Sequence, residues 1–537
     1  MKSASINKFN KSTRGASDKV KILDSTLRDG TQGEGISYSL ADKISVVKKL
    51  DALGVDYIEA GNPASNPKDM KLFHELSSLK LKNSKIVAFG NTRHKNFNVT
   101  DDKTIQSLLD AKTDVICVFG KSWDYHVENV LKTTLDENLS MIFDTIKYLK
   151  SKKREVIYDA EHFFDGFKAS PDYALSTILS AAKAGADCVC LCDTNGGAFP
   201  SEVYNIIKAA IDFFNTNDIK TQIGVHCHND IGCAVASSIA GVEAGATHVQ
   251  GTLLGFGERC GNANLSTVVA NLQLKMGYNC IPKTNIENLT LTCAKLAEIT
   301  NVSLDKTMPY VGKSAYAHKA GMHADAVIKS TQTFEHIPPS SVGNERRFLV
   351  SEMAGRSIIL KKILKINENI TRDSDELKNI VAEVKRMESE GYNFEGADAS
   401  FEILACKELG IFKPKFDVLN YVVVSEDRTT NRATIKIKVG DTTETTGEEG
   451  HGPVNALDNA LRKALIKFFP SIKSMHLKDF KVRILEGKIG TASVTRVLMD
   501  FEDKHETWTT IGVSDDIIMA SFKALMDAYE YRLQRLK

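Results

Sequence analysis

Short apolar runs alternate with longer amphipathic stretches along the first half of the chain, beginning at Lys21. The runs have the apolar or β-branched content of buried strands, and eight of them stand at 22–23, 57–60, 86–89, 115–119, 155–158, 188–192, 223–225 and 248–254. Helix-like segments lie between them at 40–53, 104–111, 139–151, 171–184, 201–214 and 234–244. This alternation predicts parallel strands joined by helices.

Several of the helix-like segments end in a glycine, and the next strand follows at once. Gly54, Gly185 and Gly245 occupy this position, which is typical of a helix C-cap and the return turn of a βα unit. Eight such units within residues 21–283 predict an α/β fold, a (β/α)8 TIM barrel that forms a catalytic domain. A doubly wound open sheet is the alternative, but the sequence lacks the glycine-rich phosphate loop that usually follows its first strand, which favours the barrel.

The pattern changes after the barrel. Residues 284–410 mix helix-like and loop-like stretches and are predicted to form helical linker subdomains. Residues 411–537 are predicted to form an α+β regulatory domain, because strand-like and helix-like runs occur twice in the order βββα. With an offset of 65 positions Gly447 falls on Gly512, so the order predicts an internal repeat with a pseudo-twofold axis and a ligand site at its seam. A dimerisation module without a ligand is the alternative.

Composition excludes several classes of protein. The chain of 537 residues has 69 basic and 68 acidic side chains, which is unlike a nucleic-acid binder, and no apolar run approaches the roughly 20 residues that a membrane span needs. Several of the 10 cysteines lie inside apolar runs, which suits free thiols in a reducing compartment, so the cytoplasm is the expected location. Residues 1–20 are polar and basic and are predicted to be a disordered tail, with an organellar transit peptide as the alternative.

Polar side chains follow seven of the eight predicted strands at their carboxyl ends, where barrel enzymes hold their active sites. In chain order they are Arg28, Asp29, Gln32, Glu59, Asn62, Asn91, Arg93, Asp159, Glu161, Asp193, Thr194, Asn195, His226, His228, Asn229 and Asp230, followed by the glycine-rich loop 255–262. Because these strand ends meet at one rim of a barrel, the sequence predicts an active site there.

His226 and His228 are the strongest local signal for a metal. Residues two apart on a strand project to the same face, so both imidazoles can reach one cation. Asp29 supplies a carboxylate and Asn262 an amide oxygen, which makes a mixed nitrogen and oxygen site that suits Zn, Mn, Co or Mg. Two buried, hydrogen-bonded histidines without a metal are the alternative.

Three further rim residues each have a catalytic and a structural interpretation. Arg28 could stabilise the oxygen of an enolate or alkoxide, or form a surface ion pair. Thr194 could hold a carboxylate where a helix begins, or simply cap that helix. Glu161 could polarise a carbonyl group or pair with a neighbouring cation, so these residues leave both interpretations open.

Three motifs in the chain resemble the signatures of one known family. They are DSTLRDGTQ at 24–32, HCHND at 226–230 and GFGERCGNA at 255–263. They resemble the family of 2-isopropylmalate, homocitrate and citramalate synthases, and the similarity extends over nearly the whole chain after residue 20. For this chain the resemblance implies a divalent metal bound by Asp29, His226 and His228, with Asn262 beside it. It also implies that Glu161 contacts the reacting keto acid, that Thr194 holds its carboxylate and that Arg28 stabilises the developing oxyanion. Gln32, after the first strand, is a further candidate for substrate binding.

The resemblance also implies a homodimer. Members of this family are similar in that a histidine from the region after the barrel reaches the active site of a partner subunit. The matching segment here is HKAGMHAD at 318–325, in which His323 and Asp325 are the candidates for catalysis. In some relatives a tyrosine further along assists proton transfer, whereas this chain has Phe334 at the matching position.

Within the family, the stretches 30–37, 65–69 and 161–166 look most like the citramalate synthase branch, whose members use pyruvate. The implied reaction is a Claisen-type condensation of acetyl-CoA with pyruvate, the first step of a threonine-independent route to isoleucine, and isoleucine is the implied effector of the C-terminal domain. Another 2-keto acid, as in 2-isopropylmalate or homocitrate synthases, is the nearest alternative. A carbon–carbon lyase similar to HMG-CoA lyase is disfavoured by the glycine loop, and a silent amino-acid sensor is disfavoured by the intact set of rim residues.

Overall fold

The computed structural model describes residues 19–65, 67–319, 321–349, 356–425, 431–485 and 493–535. They form two compact units: the first contains the chain up to Tyr316 together with Pro339–Glu345, and the second contains Ala317–Pro338 and the chain from Arg346 onward. The tail predicted at residues 1–20 lies outside the described residues except for its last two. The predicted boundaries at 284 and 411 remain predictions.

The first unit is built on a closed barrel of eight strands, as the sequence predicts. In chain order the strands β1–β8 are Lys21–Asp24, Tyr57–Gly61, Lys85–Asn91, Val115–Lys121, Glu155–Glu161, Cys188–Asp193, Gln222–Cys227 and His248–Gly251. Each strand pairs in parallel with the next, and β1 closes the ring by pairing with β8, with Lys21 opposite His248 and Asp24 opposite Gly251. Closure through this pair excludes the open sheet.

Helices connect the barrel strands and continue past the last of them. Those of the first unit are Leu40–Leu53, Pro67–Ser77, Lys103–Asp110, Asp124–His126, Leu135–Ser151, Phe163–Ala169, Pro171–Ala184, Pro200–Thr216, Ala234–Ala244, Leu265–Ala270 and Leu289–Thr300. Gly54, Gly185 and Gly245 follow three of them with φ of 93°, 101° and 122°. These positive φ values favour glycine, which confirms the predicted helix ends.

The barrel interior is a packed core rather than a pore. Side chains from six of the strands meet there, and they are Leu23, Tyr57, Val87, Val115, Cys117, Ile157 and Cys188. All of them are buried. Because this core fills the barrel at that level, the polar side chains at the carboxyl ends of the strands are left to line its mouth.

The second unit contains helices and three small sheets. Its helices are Gly321–Lys329, Arg356–Ile363, Asp375–Ser389, Asp398–Glu408, Pro453–Ile466 and Ile517–Gln534. Strands β9 and β10 (Ala317–His318 and Arg347–Phe348) form a parallel pair. The two antiparallel sheets consist of β11–β13 (Asp417–Val424, Asn431–Val439 and Thr442–Gly450) and β14–β16 (His476–Ile484, Thr495–Glu502 and Thr507–Ser514).

The C-terminal sheets each precede a long helix, and each helix carries the same buried hydrogen bond. Thr446 Oγ1 donates to the carbonyl of Ala460 at 2.7 Å, and Thr510 Oγ1 donates to the carbonyl of Ala524 at 2.8 Å. Thr510 lies 64 positions after Thr446, one fewer than the separation of Gly447 and Gly512 on which the predicted offset of about 65 is based. On a strand a shift of one residue moves a side chain to the opposite face. The pseudo-twofold relation of the two halves remains a prediction.

No helix within the described ranges is long and apolar enough to cross a membrane.

Candidate active site

A cavity of about 340 Å³ lies at the carboxyl ends of the barrel strands. It is lined by Arg28, Asp29, Gln32, Asn62, Phe89, Phe119, Asp159, Glu161, Cys192, Thr194, His226, His228, Glu258 and Arg259. The structure thus brings together nine of the polar rim residues predicted from the sequence, which come from β1, β2, β5, β6 and β7 and the loops after them. Asn262 joins them because its backbone forms a bridge with that of His228.

Asp29, His226 and His228 form the tightest polar cluster of the cavity. The Oδ2 atom of Asp29 lies 3.6 Å from Nε2 of His226 and 3.8 Å from Nε2 of His228. One ligand atom from each residue lies within 4.8 Å of the other two, and all three residues are buried. His226 is on β7 and His228 follows its last residue in a bridge with Asn262, and this spacing of two places both imidazoles beside Asp29, as the sequence predicts.

Buried polar atoms without partners mark where a cation would fit. Asp29 Oδ1 and Asn262 Oδ1 are buried and make no hydrogen bond to any described residue. Such atoms are rare in proteins, because desolvation without a partner is costly. Both are oxygens beside an imidazole pair, so the donor set fits a divalent cation with mixed nitrogen and oxygen ligands.

The protonation states of the cluster also suit a cation. Burial by itself raises the pKa of Asp29, but Arg28 and the two histidines outweigh it and hold that pKa below its usual value. Burial, and then the neighbouring His226, lower the pKa of His228 to about 4. At neutral pH the carboxylate is therefore charged and the His228 imidazole is neutral, which are the forms that bind a metal.

Arg28 is fixed beside this cluster by residues from two other strands. Its Nε donates to Glu59 Oε2 at 2.6 Å, and its Nη1 lies 3.2 Å from Asp29 Oδ2. The guanidinium carbon lies 3.7 Å from the centre of the Phe89 ring. Only 13% of the side chain is exposed, so the guanidinium presents one fixed, positively charged edge to the cavity.

Thr194 and Glu161 also have defined partners. Thr194 Oγ1 accepts a hydrogen bond from the backbone N–H of His162 at 2.9 Å, which leaves the hydroxyl proton for an acceptor in the cavity. Arg259 Nη2 donates to the Thr194 carbonyl at 2.8 Å and also binds Asp230. Glu161 forms an ion pair with Lys121, so the structural interpretation of Glu161 holds in addition to any catalytic one.

The glycine-rich loop folds tightly onto itself. A Cβ atom on Gly261, where φ is +88°, would lie 2.0 Å from the carbonyl oxygen of Gly255. A Cβ atom on Gly257 would lie 2.3 Å from Nδ2 of Asn262. Both glycines are therefore required by close approach, and the fold of the loop positions Asn262 at the cluster.

His323 and Asp325 belong to the second unit, whereas every residue that lines the barrel cavity belongs to the first. His323 is exposed, and its ring stacks on Phe334 with 4.2 Å between centroids and 28° between planes. Asp325 forms an ion pair of 2.6 Å with Lys329. Their role in catalysis remains a prediction.

The sequence alone does not predict the partners that hold the predicted site residues. Its pattern places Glu59 at the rim without indicating a partner, and it indicates no role for Phe89, Lys121 or Gln250. A buried glutamate or glutamine within an apolar strand is the signal that could have identified Glu59 and Gln250, because such groups need partners when buried.

Three family models match consecutive parts of the chain. Residues 19–301 match the HMGL-like family, residues 310–392 match the Homocitrate synthase post-HMGL domain-like family, and residues 395–533 match the LeuA allosteric (dimerisation) domain. Among solved structures, a hydroxymethylglutaryl-CoA lyase from Pseudomonas aeruginosa is similar to 54% of this chain and 95% of its own, with 18% identity and a TM-score of 0.45. The chain belongs to the HMGL-like family.

Full-length relatives define its place more closely. The chain is 47% identical to the (R)-citramalate synthase of Aquifex aeolicus over 523 residues, which cover 96% of this chain and 98% of that protein. It is also 47% identical to the (R)-citramalate synthase of Geobacter sulfurreducens over 521 residues, covering 96% and 98%. Within the HMGL-like family, the chain is therefore a member of the (R)-citramalate synthase family.

Proposed function

We propose that this protein adds the methyl carbon of acetyl-CoA to the keto carbon of pyruvate and that water then hydrolyses the thioester, which gives (R)-citramalate and free CoA, the first step of a threonine-independent route to isoleucine. The observation that carries the proposal is the buried cluster of Asp29, His226 and His228 beside Arg28 in the barrel mouth. Relatives of the same length that are named for this activity support the choice of keto acid.

The cavity residues have complementary parts in this reaction. A divalent cation (Zn, Mn, Co or Mg) bound by Asp29, His226 and His228 next to Asn262 would make the keto carbon electrophilic. The hydroxyl group of Thr194 donates a hydrogen bond to the carboxylate of the keto acid, and Gln32 lines the same cavity. Arg28 directs its fixed guanidinium edge at the oxygen that gains negative charge during the addition.

Removal of the methyl proton from acetyl-CoA is assigned to a second subunit. We propose that His323, with Asp325 near it, reaches the barrel cavity of a partner copy and acts as the base. The exposure of His323 and of Met322, which is 84% exposed, supports a surface that another subunit covers. The exposed apolar side chains of β14, Leu477, Phe480, Val482 and Ile484, support a homodimer as well.

We further propose that isoleucine inhibits the enzyme by binding the second unit. A cavity of about 300 Å³ there is lined mainly by apolar side chains, together with Asp527, Lys407 and Lys523. An ammonium group, a carboxylate and an aliphatic side chain would each find a complementary group in this cavity. Asp527→Asn should raise the isoleucine concentration needed for half inhibition, and unchanged inhibition would place the effector elsewhere.

The cytoplasm is the proposed location, since all 10 cysteines are free and most are buried. Cell fractionation that finds the chain in another compartment would contradict this.

The substrate is tested by thiol release from acetyl-CoA with pyruvate, 2-ketoisovalerate and 2-ketoglutarate in separate reactions. Each reaction is repeated after chelation and again after Mn²⁺ is restored. We expect release with pyruvate alone and its loss on chelation. Thiol release with another keto acid would support the condensation and reject pyruvate as the substrate. The absence of thiol release from every reaction with restored metal would reject the condensation.

A further inference from the structure

Two consecutive buried hydrogen bonds extend from His226, in the cluster of Asp29, His226 and His228, to a residue on another strand of the barrel. His226 Nδ1 lies 3.0 Å from Oε1 of Gln250, and Nε2 of Gln250 donates to Oδ1 of Asp159 at 2.8 Å. Gln250 is fully buried on β8 opposite His226, and Asp159 stands on β5. None of the roles proposed above uses Gln250 or Asp159.

The direction of each hydrogen bond follows from the chemistry of the groups. A carboxylate only accepts hydrogen bonds, so the Gln250 side chain must turn its NH₂ group toward Asp159 and its oxygen toward His226. An amide oxygen also only accepts, so the proton of the His226 imidazole must sit on Nδ1. The lone pair is then left on Nε2, the atom that lies 3.6 Å from Asp29.

We infer that Gln250 and Asp159 are positioning residues that fix the tautomer and the ring orientation of His226 for binding the metal. The inference rests on the proposed metal site. Burial raises the pKa of Asp159 to about 6, so above that pH its carboxylate is mainly the ionised acceptor that this arrangement needs. Partners of this kind raise the metal affinity of a ligand by holding it in its binding form.

The second histidine of the cluster lacks such support. Nδ1 of His228 is buried and has no hydrogen-bond partner among the described residues. The tautomer of His228 is therefore not set by a neighbour, and the loss of Gln250 should act through His226.

A matched control exists on the same pair of strands. Gln222 begins β7, and its Nε2 donates to both the carbonyl and the Oγ1 of Thr247, each at 2.9 Å. It connects the same strands through the same functional group at the opposite end of the barrel. Replacing it measures what a side-chain bridge contributes to the barrel without any contact with the cluster.

The test is the affinity of the full-length apo protein for Zn²⁺, measured by competition with a chromophoric chelator. Gln250→Met should bind Zn²⁺ about 10- to 100-fold more weakly than the unchanged protein, in the range typical for the loss of a residue that hydrogen-bonds to a metal ligand. Gln222→Met should bind with unchanged affinity. Equal affinity of Gln250→Met and the unchanged protein would overturn the inference, and so would an equal loss in both variants, because the effect would then be structural.

Two further arms keep the test decisive. If Gln250→Met does not fold, Asp159→Leu removes the acceptor that orients the amide, and a several-fold weaker Zn²⁺ affinity is expected. An affinity unchanged in Asp159→Leu would overturn the inference. If the unchanged protein binds no Zn²⁺, Mn²⁺ or Co²⁺, the proposed metal site is rejected. This result differs from one in which the unchanged protein binds metal and only the positioning role of Gln250 and Asp159 is rejected.

Discussion

The Nε atom of Arg28 lies 2.6 Å from the Oε2 atom of Glu59, and this ion pair connects the loop after β1 with strand β2. Glu59 is completely buried, so its charge is stabilised by protein groups rather than by solvent, and these are Arg28 and the hydroxyl of Ser25, which donates to the same oxygen. The pair fixes the guanidinium with one edge toward the cavity. In the proposed reaction this fixed edge stabilises the developing oxyanion without reorganisation.

Removing the charge of Glu59 should therefore impair catalysis more than substrate binding. For Glu59→Gln we expect kcat to fall about 10- to 100-fold with a smaller change in KM, because a mobile Arg28 stabilises the transition state less well. The control is Glu155→Gln, since Glu155 pairs with Lys85 at 2.6 Å where β5 begins, at the opposite end of the barrel. A kcat for Glu59→Gln equal to that of the control would reject this role.

The metal cluster should be required for turnover and dispensable for folding. Asp29→Ala and His228→Ala each remove one ligand, and we expect both variants to lose measurable turnover while they keep the circular dichroism spectrum of the unchanged protein. Bound metal, measured by elemental analysis after gel filtration, should fall in parallel. Normal activity in both variants would contradict the metal model.

The glycine loop should not tolerate a side chain at Gly261. Gly261→Ala would place a methyl group 2.0 Å from the Gly255 carbonyl oxygen, so the loop must move and Asn262 with it. We expect loss of activity and weaker metal binding.

Gly277→Ala is the matched control, because Gly277 also has a positive φ, +80°, but a methyl group there would meet nothing within 4 Å. Its effect should be limited to backbone strain of about 1–2 kcal/mol. If both variants lose activity equally, strain rather than close packing is responsible.

His248 should make the barrel sensitive to acid. Burial lowers the pKa of His248 to about 3 from a reference value of 6.5. As the pH falls below 6.5, His248 therefore becomes protonated in the unfolded chain but stays neutral in the folded barrel. Stability is therefore lost between pH 6.5 and pH 3, and at pH 5 the loss is about 2 kcal/mol. His248→Gln should remove this part of the pH dependence.

The measurement is urea unfolding at pH 7.5 and at pH 5, followed by the fluorescence of Trp123. A Trp508→Phe background removes the other of the two tryptophans, which lies in the second unit. The unchanged barrel should lose more stability than His248→Gln between the two pH values. Equal losses would show that His248 is not the group responsible.

The sequence predicts the barrel well because the signals for its strands and helix ends are local in the chain. Gly54 and Gly185 mark helix ends through their own backbone conformation, and a buried parallel strand is a continuous apolar run. His226 and His228 are paired by the period of a single strand. Asp29 could be added to them because active sites of barrels collect at one rim.

The supporting residues could not be predicted in the same way. Gln250 and Asp159 are 91 positions apart, and their contact depends on side chains that cross the barrel interior. The contact between Glu59 and Arg28 depends on how β1 and β2 are aligned, because Glu59 lies on β2 and Arg28 in the loop after β1. In the C-terminal region two glycines 65 positions apart indicate the repeat in the sequence, whereas the matching buried hydrogen bonds of Thr446 and Thr510 lie 64 positions apart and depend on tertiary contacts.

The central claim is tested most directly by following carbon from acetyl-CoA into the product. The purified protein is incubated with Mn²⁺, pyruvate and acetyl-CoA labelled with ¹³C in the methyl group, and thiol and citramalate are measured together, with separation of the two enantiomers. The proposed function predicts equal amounts of CoA thiol and (R)-citramalate, with the label in its methylene carbon, and the loss of both after chelation. Thiol release without labelled citramalate would contradict it.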